Sequence, residues 1–172
     1  MPLGVLTLRL LHVVLGVYWG GTAIFIATYL EPTVRAMGPA GGTVMMGLEQ
    51  RGYFKVMPLV AMLTIVTGVA LLSVDSDGFR PAWMGSRQGI GFSTGGLAAI
   101  LAFVIGATVV RPTGNRMAAI ARDALQVPDG PARAAKLAAL APMRETIRTS
   151  ARAVAALVVL AAAAMAVARY LG

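Results

Sequence analysis

The chain contains no cysteine, and this absence excludes several kinds of site. Without a thiol there is no disulfide, no thiolate metal site and no cysteine nucleophile. Histidine is nearly absent as well, since His12 is the only one, so most hydrolytic mechanisms lack their parts. No carboxylate pair, phosphate-binding glycine loop or dinucleotide motif is present in the sequence. We therefore predict no catalytic residues and favour a non-catalytic protein.

Charge is also scarce: 13% of the 172 residues are charged, whereas 58% are hydrophobic and the mean hydropathy is +0.76. Four apolar runs, at residues 10–30, 56–74, 89–110 and 154–170, are each close to the about 20 residues that a helix needs to cross a bilayer. These runs are apolar on all faces, which is typical of helices in lipid, and a β-barrel would need shorter, alternating segments. We predict one all-α domain at residues 1–172, an integral membrane four-helix bundle.

Lysine and arginine are distributed unevenly around the apolar runs. The two connections that must share one side of the membrane carry eleven basic residues, and the other side carries four. The positive-inside rule then places these two connections in the cytoplasm and both termini outside. The first apolar run has no basic segment before it and no signal cleavage site after it, so we expect it to stay as a membrane helix. The predicted location is the bacterial inner (cytoplasmic) membrane.

Residues 111–153, between the third and fourth runs, are predicted to extend those two helices as an antiparallel cytoplasmic hairpin. Apolar residues recur at helical spacing on both sides of a turn at residues 127–131. Pro112 and Pro142 are expected to kink or interrupt the extensions. The arginines of the hairpin are expected to meet lipid phosphates or a partner, and we favour lipid. Nucleic acid is not indicated, because no basic stripe is interleaved with aromatic residues.

His12 is the main candidate for ligand binding. It lies about one turn inside the outer boundary of the first helix, and Gly16 and Gly20 follow at four-residue steps on the same face, with Trp19 near it. An ionisable ring in a membrane helix is a functional candidate. Haem b could lie on the two glycines with the imidazole as axial ligand. The ten methionines do not cluster, so we predict no metal site.

Helix packing is the interpretation of these glycines that we favour. Gly16 and Gly20 form a GxxxG motif, which lets two helices approach closely, and Gly91 and Gly95 give the third helix the same spacing. The two glycine faces can pack against each other, with His12 bonded to a neighbouring hydroxyl or carbonyl group. At the inner end of the first helix, we expect Glu31 to form an ion pair with Arg35, four residues later.

The first helix, at residues 10–22, has an early Leu-His followed by a Tyr-Trp pair and small residues. It resembles the first helix of a family of small bacterial integral membrane proteins of unknown function, similar to the copper-resistance protein D domain. The runs at residues 63–68, 109–114 and 165–170 also resemble that family. The HemJ-type protoporphyrinogen oxidases resemble the chain more distantly, through the same His-then-Trp pattern. The resemblance implies a four-helix bundle with haem or a metal linked to His12.

Three functions remain open from the sequence. We favour an accessory or scaffold subunit that packs against other membrane helices, in another subunit or in a second copy of the chain. A haem- or metal-binding membrane protein that uses His12 is the alternative. A small transporter is the weakest hypothesis, because no helix is broken near the middle of the membrane. Membrane lipids are expected partners in every case.

Overall fold

A computed structural model describes residues 2–172, apart from the side chain of residue 39. In this part of the chain all regular secondary structure is helical. Two π-helical segments, Ile26–Leu30 and Gly106–Val110, join consecutive α-helices, and a 3-10 turn spans Gly38–Ala40. The α-helices are α1 (Leu3–Phe25), α2 (Glu31–Ala36), α3 (Gly41–Gln50), α4 (Tyr53–Asp75), α5 (Pro81–Met84), α6 (Arg87–Ile105), α7 (Arg111–Leu125), α8 (Pro131–Ala138) and α9 (Leu140–Ala168).

Four helices are long and apolar enough to cross a membrane, which confirms the prediction of an all-helical chain with four membrane-length spans. They run over Leu3–Ala36, Tyr53–Asp75, Arg87–Leu125 and Pro131–Ala168. Three of them are much longer than the apolar runs, because polar residues continue the helices at one end. Only 17–28% of the residues in their most apolar windows are buried. Most of the apolar surface therefore faces outward, as a lipid environment requires.

The four long helices form a ring in which each packs against the next: α1 on α4, α4 on α6, α6 on α9 and α9 on α1. Neighbours are antiparallel, since Arg9 near the start of α1 bonds to Asp75 at the end of α4. Both termini consequently lie at one end of the bundle, where Gly172 is next to Gln88 at the start of α6. The arrangement is the up-down-up-down topology of a four-helix bundle.

Small residues fill much of the interior, which allows the helices to approach closely. The most extensive interface is between α6 and α9. The larger side chains of the core come mainly from α1, α4 and α9. The buried cluster consists of Trp19, Met57, Val60, Ala61, Ala98, Ala99, Ala102, Val158 and Ala161.

The first π-helical segment is explained by the proline that follows it. Pro32 has no N–H group, and in a regular α-helix its ring would clash with the carbonyl group of Thr28, four residues earlier. The chain instead makes one wider turn, in which the Glu31 N–H donates to the carbonyl of Ile26. The Thr28 hydroxyl donates to the carbonyl of Ile24 at 2.7 Å. The helix thus continues past the proline without a break.

The same arrangement recurs in the third long helix. There the Arg111 N–H donates to the carbonyl of Gly106, and the Thr108 hydroxyl donates to the carbonyl of Val104 at 2.7 Å. The sequence Ala-Thr-x-x-x-Pro-Thr occupies residues 27–33 and 107–113. Since α1 pairs with α4 and α6 pairs with α9, the bundle consists of two similar helix pairs, each with a π-helical segment before its Pro-Thr sequence.

Between the third and fourth spans, α7 contacts α8 and part of α9. Lys136 of α8 lies 4.0 Å from the carboxylate of Asp123 in α7. Pro112 lies two residues after the second π-helical segment, which accommodates its ring, and Pro142 lies in the first turn of α9, where the missing N–H costs little. Pro142 therefore does not kink its helix, and the interruption falls at Ala139, between α8 and α9.

Candidate functional site

His12 is bonded to α4 through one of its two ring nitrogens. Its Nδ1 lies 2.9 Å from the carbonyl oxygen of Thr64 and 3.2 Å from the hydroxyl oxygen of Thr67. A carbonyl oxygen only accepts, so we assign the hydrogen to Nδ1. The Thr67 hydroxyl donates to the carbonyl of Leu63, so it also accepts from His12. In the neutral ring the lone pair is then on Nε2, to which the described residues make no hydrogen bond.

Gly68 provides the space for the imidazole ring. A Cβ atom on Gly68 would lie 2.8 Å from Cε1 of His12, which is closer than real contacts allow. His12 was predicted as a candidate from the sequence, but its partners Thr64, Thr67 and Gly68 were not. These three are spaced on one face of α4, and that spacing was the available signal.

An ion pair joins the same two helices nearer to the end of the bundle that holds the termini. Arg9 donates to both carboxylate oxygens of Asp75, at 2.8 and 3.1 Å. Both side chains are partly exposed, at 41% for Arg9 and 32% for Asp75. Arg9 is three residues from His12, so the two contacts follow one another along the α1–α4 interface. This pair could not be inferred from local spacing, because its members are 66 residues apart.

The glycines predicted as the floor of a haem site are covered by protein. A Cβ on Gly16 would meet the side chain of Thr64 at 3.7 Å, and a Cβ on Gly20 would meet Val158 of α9 at 3.0 Å. Trp19 is buried in the core. Gly16 and Gly20 therefore do not form an open surface for a planar ligand. Nε2 of His12 has no hydrogen-bond partner among the described residues.

Gly91 and Gly95 face α9. A Cβ on Gly91 would lie 2.7 Å from Cβ of Ala168, and a Cβ on Gly95 would lie 2.7 Å from Cγ of Met165. The two GxxxG motifs therefore do not face each other: the motif of α1 lies against α4 and α9, and the motif of α6 lies against α9. Within residues 2–172 no group of three or more histidine and acidic side chains could hold a metal ion.

At the opposite end of the bundle, a pocket of about 420 Å³ lies between α2 and α9. No ion pair of the described residues joins Glu31 to Arg35, and this corrects the pairing that we expected from their spacing. Both residues instead line the pocket, since the π-helical segment directly before α2 packs against α9. The lining residues are Glu31, Pro32, Arg35, Ala36, Arg148 and Arg152.

Arg148 of this pocket is paired with Glu145, one turn earlier on α9. Its Nε donates to a carboxylate oxygen of Glu145 at 2.9 Å, and its Nη2 donates to the other oxygen. These hydrogen bonds lower the pKa of the Glu145 carboxyl, and the nearby charges of Arg148, Arg35 and Arg152 lower it further. Glu145 therefore stays ionised beside the pocket and neutralises part of its positive charge.

Comparison with protein-family models, with curated proteins and with solved structures finds no match to this chain. The resemblance to the copper-resistance protein D domain and to the HemJ-type proteins therefore stays a prediction. The structure thus has two candidate functional sites. One is the contact of His12 with α4, nearer to the termini, and the other is the arginine-lined pocket at the opposite end of the bundle.

Proposed function

We propose that this chain is a non-catalytic subunit of the bacterial inner membrane, which packs against the helices of other membrane proteins or of a second copy. In this proposal both termini are outside, and the hairpin of α7, α8 and the start of α9 is in the cytoplasm. The uneven distribution of basic residues supports this orientation, since eleven of them belong to the end of the bundle opposite the termini.

The observation that carries the proposal is the direction in which the glycines of α1 and α6 face. Gly16, Gly20, Gly91 and Gly95 are in contact with side chains of the bundle, but a Cβ on Gly21 would meet nothing within 4 Å. Gly96 of α6 likewise has open space before it. Each of these two long helices therefore has a glycine with no close neighbour in the chain. Glycine in such a place permits the close approach of another membrane helix.

The test is the mass of the protein extracted from native membranes in a mild detergent, measured by size-exclusion chromatography with light scattering. We expect a complex heavier than the 17.8 kDa chain. Gly21→Ile and Gly96→Ile should each reduce that complex, because a branched side chain keeps a second helix away. Gly4→Ile is the matched control, since Gly4 is equally open but precedes the apolar run. A wild-type protein that always runs alone would overturn the proposal.

A haem-binding protein is the second candidate, and one observation favours it. The Nδ1–H of His12 is fixed by a backbone carbonyl, which is the usual way in which a protein orients a ligating histidine and leaves Nε2 free. When bound, haem would supply redox chemistry, and this chain would supply one axial nitrogen. Gly16 and Gly20 would not hold its face, because α4 and α9 cover them.

The test of this candidate is a reduced-minus-oxidised visible spectrum of the protein purified gently from native membranes. A haem band that is present in the wild type and absent in folded His12→Ala would support ligation by His12. A blank spectrum from intact wild-type protein would reject it and leave His12 as a residue that packs α1 against α4.

A further inference from the structure

The arginine-lined pocket lies where the apolar part of the bundle ends. The first apolar run covers residues 10–30 and stops directly before Glu31, while the fourth begins at residue 154, two residues after Arg152. Both lining segments, from α2 and from α9, therefore meet the bundle at the same depth. In a membrane this depth is the headgroup region, just outside the hydrocarbon core of about 30 Å.

The guanidinium groups of the pocket have fewer carboxylate partners than they could use. Arg148 is paired with Glu145, but no ion pair of the described residues involves Arg35 or Arg152. The carboxylate of Glu31 also lines the pocket and opposes an anion there. Three guanidinium groups against Glu31 and Glu145 leave one net positive charge. This balance suits a singly charged anion better than a dianion.

We propose that the pocket between α2 and α9 binds a phosphate group, and specifically the phosphate diester of an anionic lipid headgroup. Guanidinium groups match phosphate oxygens in planar, bidentate geometry, and two arginines here are free to do so. Basic pockets between membrane helices are typical places for anionic headgroups. Glu31 can accept a hydrogen bond from a headgroup hydroxyl, such as those of phosphatidylglycerol. The inference does not depend on any partner subunit.

The experiment is native mass spectrometry of the full chain in a neutral detergent, titrated with short-chain phosphatidylglycerol, phosphatidylcholine or inorganic phosphate. We expect one retained molecule of phosphatidylglycerol at concentrations where phosphatidylcholine is not retained. Arg35→Gln/Arg152→Gln should weaken this binding about 30-fold, from the usual contribution of two basic residues near an anionic lipid. Arg116→Gln/Arg122→Gln removes the same charge from α7, outside the pocket, and should change the binding less than threefold.

The possible outcomes separate the sources of the phosphate. Retention of phosphatidylglycerol alone supports a lipid, and equal affinity for inorganic phosphate supports the phosphate site but makes the free ion its ligand. If both double variants lose the same affinity for phosphatidylglycerol, the binding depends only on the total surface charge, and the proposal is overturned. Circular dichroism shows whether each variant is folded. If Arg35→Gln/Arg152→Gln does not fold, the wild-type comparison decides, since equal retention of both lipids, or of neither, overturns the proposal.

Discussion

At the scale of single residues, two polar side chains of α1 fix its position along α4. His12 donates to the Thr64 carbonyl, and Arg9 bonds to Asp75 further towards the termini. Hydrogen bonds between membrane helices are worth about 0.6 kcal/mol on average, and exposed ion pairs about 0.2–1 kcal/mol. Neither contact contributes much stability alone, so we assign to them chiefly the register between the two helices.

Gly68→Ala tests how closely the imidazole ring is packed. The added methyl group would lie 2.8 Å from Cε1 of His12, so we expect a loss of about 1–3 kcal/mol in the free energy of unfolding. In a His12→Ala background the same change should be neutral or stabilising by up to about 1 kcal/mol, because alanine is the better helix former. Thermal unfolding in detergent, followed by circular dichroism, measures both. If Gly68→Ala lowers the free energy of unfolding equally in both backgrounds, the predicted contact with His12 is wrong.

The sequence identified His12 as a functional candidate because an ionisable ring is rare in a membrane helix. It could not identify the acceptor, since Thr64 is 52 residues away and every membrane helix offers carbonyl groups. Glu31 illustrates the converse problem. Its spacing from Arg35 favours a local ion pair, but no ion pair of the described residues joins the two side chains, which both line the pocket. A local preference worth only about 0.2–0.5 kcal/mol does not fix their geometry.

At the scale of the elements, α6 and α9 approach through residues that have little or no side chain. A Cβ on Gly91 would lie 2.7 Å from Cβ of Ala168 and 3.2 Å from its Cα. Gly91→Ala should therefore separate the helices and lower the free energy of unfolding by about 1–3 kcal/mol. Gly114→Ala is the control, since it adds the same methyl group to open space further along the same long helix. Similar melting temperatures for the two variants would count against this interface.

The positions of the four spans follow from composition, which is why the four apolar runs were correctly predicted. The π-helical segments were not predicted, although Pro32 and Pro112 are visible in the sequence. A proline inside a helical pattern indicates a kink or an end, and the wider turn is a third solution that composition does not distinguish. The shared Ala-Thr-x-x-x-Pro-Thr sequence is also too short to establish a repeat before the helix pairing is known.

Pro32→Ala tests the cause of the first π-helical segment. Without the proline ring, the chain can return to regular α-helical bonding. The turn then contains one residue fewer, and α2 rotates by about 100° relative to α1. We expect the distance between spin labels on cysteines at positions 36 and 149 to change by several ångströms. Labelling is simple because the chain has no native cysteine. Pro131→Ala, in α8, should leave that distance unchanged. An unchanged distance in Pro32→Ala would show that Pro32 does not cause the π-helical segment.

At the scale of the whole molecule, the two ends of the bundle differ in charge. The end with the termini carries four basic and two acidic residues, and the other end carries eleven basic and five acidic residues. The surface between them is largely apolar, because about half of the large hydrophobic side chains of the long helices are exposed. In the orientation proposed above, the apolar surface sets the depth of the bundle in the membrane, and the end with eleven basic residues faces the cytoplasm.

Cysteine labelling of intact cells tests this orientation directly. Ala82, in α5 at the end with the termini, and Ala132, in α8 at the other end, are both exposed. A maleimide that cannot cross membranes should label Ala82→Cys in spheroplasts, and it should label Ala132→Cys only after lysis. The wild-type chain gives no background, since it has no cysteine. The reverse pattern would contradict the orientation. The arginine-lined pocket would then lie in the outer headgroup layer, where its guanidinium groups would meet the lipids of that leaflet.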